Sequence, residues 1–164
     1  MKKNQRMEEE EAAVALEAGA TGMHPCVYGY VRHFNLCEYY EAHDILEHLW
    51  LRGPGADYAY FKGLIQIAGA YVHLRLHYLR PVHYKHRGRL RPAVRLFELG
   101  IANVTPFPEG HHLLPVGELI RRCREDADAV RAGGFKVNPW RPEHALQLHL
   151  PRPGGSLTEP LGEE

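Results

Sequence analysis

The stretch from Tyr58 to Arg80 constrains this chain more than any other. It is apolar almost all round a helical wheel and is closed by Pro81, which cannot continue a helix. A helix of that kind has little face to give to water, so other helices must surround it. One narrow stripe along it is polar or small: Lys62, Gln66, Gly69, His73, His77 and Arg80.

The rest of the chain supplies amphipathic partners. A first core helix is expected over about Pro25–Leu36, with Val27, Tyr30, Val31 and Phe34 on one stripe. Asn35 is its break point, leading by a tight hairpin into a second helix, Tyr39–Trp50. There Ala42, Ile45, Leu46, Leu49 and Trp50 form one apolar arc at roughly 100° per residue. The run Leu51-Arg52-Gly53-Pro54-Gly55 ends it. A fourth helix is expected over about Pro92–Asn103, where proline is tolerated in the first turn. A fifth runs over about Val116–Ala132 and stops at Gly133-Gly134. The loop Pro81–Arg91 is very basic, and Val104–Pro115 holds three prolines and His111-His112. Phe135-Lys136-Val137 is an isolated strand candidate, and no repeat occurs at solenoid periods.

This pattern predicts an all-α, single-domain antiparallel bundle of about five helices over residues 23–138. Residues 1–22 read as a polar N-terminal arm, with a short helix over Glu8–Ala18 ending at Gly19. Residues 139–164, with five prolines in 26 residues, read as a poorly ordered tail.

Composition narrows the function classes. With 45% hydrophobic and 24% charged residues, the chain fits a soluble globular protein. Its formal charge is zero, so no global field draws nucleic acid or membrane. The charge is unevenly spread, however. No acid falls between Asp57 and Glu98, whereas that stretch carries eight of the Lys/Arg and four of the twelve His. Three cysteines without a C-x-x-C argue against a disulfide framework or a cysteine zinc site. The basic start leads into acids, not an apolar run, so no signal peptide is expected. The most apolar segment, Gly63–Leu76, is too short and too polar to span a bilayer. The expected compartment is a reducing cytoplasm, and nothing in the sequence specifies a cofactor.

The second helix carries the main candidate site. His43 and Glu47 stand four residues apart at the edge of the apolar arc, flanked by Tyr39, Tyr40 and Trp50. Glu41, Asp44 and His48 take the opposite, solvated side. A carboxylate beside an imidazole holds one tautomer, which orients a base or a ligand. Buried, the same pair is a polar clasp that fixes helix register. If the polar stripe of the third helix faces the second, Lys62 neutralises Glu47, Gln66 bridges to His43, and Gly69 lets the backbones approach.

The run from Phe34 to Trp50, with Phe34, Glu41, His43, Glu47 and Trp50 among its fixed positions, resembles the signature of the all-helical domain-of-unknown-function family three hundred and nine. Phe61-Lys62-Gly63-Leu64-Ile65-Gln66 is similar to the second half of that signature, and the resemblance extends from about Val27 to Val104. It implies an all-α fold, a cytoplasmic protein and no established reaction. It also implies that Glu41, Lys62, Gly63 and Gln66 belong with His43 and Glu47 as motif positions.

Three functional readings follow. The first is a structural or interaction module, built on a His43–Glu47 clasp, whose partner is another protein or another copy of itself. The second is a hydrolase-like or small-ligand- or metal-binding protein. There His43 is the base, Glu47 its orienter, Lys62 an anion contact, and Tyr40, Glu41, Trp50 and Gln66 ligand contacts. The third is nucleic-acid or anion binding through the basic segment 80–95. His73 and His77 have zinc-ligand spacing, but a catalytic zinc needs a third protein ligand and none accompanies them in sequence.

Overall fold

Tyr58–Leu79 is the central helix of the computed structural model, which describes residues 2–150. In chain order the helices are α1 (Lys3–Thr21), α2 (Pro25–Asn35), α3 (Tyr39–Trp50), α4 (Tyr58–Leu79), α5 (Leu90–Val104) and α6 (Val116–Ala132). Single helical turns follow at Gly55–Asp57, His111–Leu113 and Pro142–His144. No strand occurs among the described residues, and Phe135-Lys136-Val137 is irregular. No helix among them is long and apolar enough to cross a membrane.

The expected stripes face the core. Val27, Tyr30, Val31 and Phe34 of α2 are fully buried, as are Ala42, Ile45 and Leu46 of α3. Aromatic rings fill the centre: Phe34 contacts Tyr39 edge-on at 5.1 Å and Tyr71 at 5.5 Å, and Tyr71 meets Phe97 at 4.9 Å. Their hydroxyls are satisfied within the protein. Tyr30 donates to the Leu64 carbonyl (2.8 Å) and Tyr71 to Asp126 (2.7 Å).

α4 packs on α3 and, most extensively, on α5. The closest approach is a glycine crossing. A Cβ at Gly63 would stand 2.8 Å from the Gly100 carbonyl oxygen, and one at Gly100 would stand 2.8 Å from that of Gly63. The sequence placed the close approach at Gly69, against α3. Gly69 instead faces Leu96 of α5, where a Cβ would stand 3.3 Å from the end of the Leu96 side chain.

Two regions differ from expectation. The polar arm is a full helix, α1, laid against both α2 and α3. Only Met7 and Ala18 of α1 are buried, so its attachment is largely polar and leaves little apolar periodicity to read. The tail is packed through residue 150, with Trp140, Leu146 and Leu148 in the core. Asn35 holds it there: its amide donates to the Leu148 carbonyl (2.7 Å) and its Oδ1 accepts from the Leu148 N–H (2.6 Å). The remainder of the expected tail, 151–164, lies outside the described residues.

Candidate functional site

Asp44 of α3 is the centre of the polar cluster, with a side chain only 4% exposed. Lys3 Nζ of α1 reaches Asp44 Oδ1 at 3.2 Å and Glu47 Oε1 at 2.9 Å. Arg6 Nη2 stands 3.6 Å from Asp44 Oδ2. His43 Nδ1 donates to Asp44 Oδ1 at 3.1 Å, while its Nε2 stays 3.8 Å from Glu47 Oε2. His43 therefore leans on the adjacent acid more than on the acid one turn away. The hydrogen bond to Glu47 holds the Lys3 ammonium above the ordinary lysine range, against a smaller downward pull from burial and with help from Asp44.

The sequence assigned Asp44 to the solvated side of its helix, and the structure overturns that. The physical reason is α1, which covers the polar face of α3 and brings two cations to it. Glu41 on the same helix stays exposed. His48 is covered as well: its Nε2 is buried without a hydrogen bond, 3.7 Å from Glu11 of α1.

The wider constellation does not assemble. Gln66 accepts from the Asn103 amide of α5 at 2.7 Å, not from His43. Lys62 lies 5.8 Å above the Tyr58 ring and forms no ion pair among the described residues. Trp50 also turns to Tyr58, donating its indole N–H to the Tyr58 carbonyl at 3.2 Å. Tyr40 stacks loosely on His43, with ring centroids 6.2 Å apart. Tyr40 and Glu41 border a small cleft of about 160 Å³ between α3 and α4, together with Val72 and Arg75. A larger, open groove of about 580 Å³ lies elsewhere, between α5 and α6, beside the Glu98–Arg131 ion pair.

The middle of the α4 polar stripe, Gln66 to His73, faces α5 and the loop before it. His73 Nδ1 accepts from Arg89 at 3.0 Å, and burial followed by that charge lowers its pKa. His77 is buried against Asn138, whose amide stands 3.2 Å from its Nδ1, and burial lowers its pKa. The two rings have separate partners and do not converge on a common point. In the basic segment, Arg89 turns inward to His73 and His86, and Arg91 lies 4.1 Å over the Phe135 ring.

Sequence reasoning missed two groups. Lys3 and Arg6 were visible as a basic run at the start, but nothing local said which acids they would meet. Asp57, His111 and His112 come together across 54 residues of chain. Adjacent histidines in a proline-bearing loop were the only trace of that.

Residues 28–83, about a third of the chain, match the sequence profile of the family described as domain of unknown function (DUF309). This is the family its motifs resemble, and the match spans His43, Glu47, Lys62, Gly63 and Gln66. It stops at 83, before α5. No curated protein and no solved structure matches the chain.

Proposed function

We propose, for a chain whose residues 28–83 carry the DUF309 domain, that it works as a structural or interaction module, with His43, Asp44 and Glu47 as a clasp that pins α1. The partner is another protein or a second copy of the chain, and the setting is cytoplasmic. All three cysteines are unpaired thiols, which fits a reducing compartment.

One observation carries the proposal: the buried Asp44 carboxylate is spent on Lys3, Arg6 and His43, groups of its own chain. A general base needs a reachable substrate proton. Here the neighbouring positions are taken by α1, and the anion contact that a substrate would need, Lys62, points to Tyr58.

The test pairs stability with a ligand screen. Removing the Asp44 charge breaks charge-assisted hydrogen bonds that contribute about 1.5–3 kcal/mol. Lys3 and Arg6 are about half exposed and can rehydrate, so Asp44→Asn should fall toward the lower end of that range. Nucleotides, small anions and divalent metals should then produce no thermal shift that depends on His43 and Glu47. A compound whose shift disappears in both His43→Ala and Glu47→Gln would make the cluster a binding site and overturn the proposal.

A further inference from the structure

The loop between α5 and α6 brings two histidines onto one carboxylate. Asp57 ends the helical turn before α4. Its Oδ1 accepts from His111 Nε2 at 2.6 Å and its Oδ2 from His112 Nε2 at 2.8 Å. One ligand atom from each of the three residues lies within 4.8 Å of the others. All three side chains are between a quarter and a third exposed, so solvent reaches them.

The surroundings hold the rings in place. Tyr60 is buried and donates its hydroxyl to the His111 carbonyl at 2.7 Å. Its ring touches both imidazoles, with centroids 4.7 Å from His111 and 5.9 Å from His112. Phe107 stacks on His111 and Phe61 leans on His112. The backbone is forced to turn there: His112 (φ 52°) and Leu113 (φ 62°) are both left-handed. For a non-glycine residue that conformation is unfavourable.

We propose that Asp57, His111 and His112 form a binding site for a divalent first-row transition ion. Two imidazoles and a carboxylate on one side of an ion leave its remaining positions open to water or a small anion. With metal–ligand bonds of about 2.0–2.1 Å, neighbouring ligand atoms stand roughly 2.8–3.4 Å apart. The two nitrogen-to-oxygen separations, 2.6 and 2.8 Å, lie just below and at the lower end of that range, so the ligands part by a few tenths of an ångström to admit the ion. The ion takes the place of the two Nε2 protons now shared with the carboxylate, so binding is coupled to proton movement. A second cluster, Glu11, His24 and Cys26, has similar spacing, but Arg52 sits in it, 3.0 Å from Glu11 and 3.5 Å from Cys26 Sγ. A fixed cation there repels a metal ion.

The test is titration of tag-free, chelator-treated protein with Zn²⁺ and, for spectroscopy, Co²⁺. One equivalent should bind and raise the melting temperature. His111→Ala and His112→Ala should each weaken binding at least about tenfold, on the scale of losing a site's support. Asp57→Asn, which keeps the size but replaces one acceptor oxygen with an amide donor, should do the same with an unchanged circular dichroism spectrum. His73→Ala and Cys26→Ser should leave affinity unchanged, and the Co²⁺ complex should show visible ligand-field bands without thiolate charge transfer. Wild-type affinity in the Asp57 and histidine variants, a thiolate band, or no stoichiometric binding would each overturn the assignment.

Discussion

Adding one methyl group at the α4–α5 crossing should destabilise the protein even though it improves the helix. In an open helix, Gly→Ala is favourable by about 0.8–1.0 kcal/mol. At Gly63 a Cβ would stand 2.6 Å from Val104 Cγ2, 2.8 Å from the Gly100 carbonyl oxygen and 2.9 Å from Asn103 Cβ. Val104 could change rotamer, but a helix carbonyl cannot move without its helix. Overpacking of this kind costs about 1–3 kcal/mol and occasionally more, and the backbone contact puts Gly63 at the upper end. The net loss for Gly63→Ala is then about 1–2 kcal/mol, or a melting temperature lower by roughly 2–8 °C. Gly100→Ala should behave alike, since its Cβ would stand 2.7 Å from Ile67 Cγ1 and 2.8 Å from the Gly63 carbonyl.

The double variant provides a sharper check. One outward shift of α5 relieves both clashes, so the two losses should sum to less than their separate values. Gly69→Ala is the control: its Cβ would meet only the end of the Leu96 side chain, at 3.3 Å, so the helix gain should dominate. Thermal melts followed by circular dichroism, with urea titrations for the free energies, are sufficient. A Gly63→Ala protein as stable as wild type would refute the close crossing.

Two further outcomes follow from other joints. His33 of α2 pairs with Glu10 of α1 and with Glu38; burial pulls its pKa down, but the two carboxylates outweigh it and the net shift is upward. A raised folded pKa means stabilisation that is full below the unfolded value of 6.5 and lost as pH rises through the folded one. The melting-temperature difference between wild type and His33→Gln should shrink over that window, and a difference independent of pH would refute the pairing. Trp140 donates its indole N–H to the Tyr39 hydroxyl at 3.1 Å and lies 4% exposed, so Trp140→Ala should cost about 3–5 kcal/mol in urea titration. A loss under about 1 kcal/mol would mean that the segment after α6 is not docked.

Apolar periodicity made the helices from Pro25 onward legible, because burial repeats along each of them and Gly or Pro marks most of their ends. The stripe of the first core helix is buried as its spacing requires, as are Ala42, Ile45 and Leu46 of the second, while Leu49 and Trp50 at the end of that arc are half-buried. What periodicity cannot report is attachment through charge. α1 buries Met7 and Ala18 but binds through Lys3, Arg6, Glu10 and Glu11, residues that read as an ordinary solvated face. The same blindness put Asp44 on the outside. The segment 139–150 was hidden for a different reason: prolines suggested disorder, whereas Asn138 and Asn35 supply the backbone partners that a non-helical strap needs.

The motif residues, once placed, argue about function through their partners. Groups that act on one substrate must converge on one point. Here they diverge: Glu47, beside Asp44, meets α1, Gly63 and Gln66 meet α5, and Trp50 and Lys62 meet Tyr58. Each partner belongs to a different joint of the bundle, and each joint needs the residue it has. A carboxylate faces cations, a glycine faces a backbone carbonyl, and an amide faces an amide. Such a set is what a scaffold requires, since losing any one member loosens a helix without removing a reactive group. The Asp57–His111–His112 group is the contrast, because there three ligand atoms from distant parts of the chain do approach one point. Chemistry in this protein is therefore to be sought at the α5–α6 loop and the turn before α4, outside the clasp that the motif first suggests.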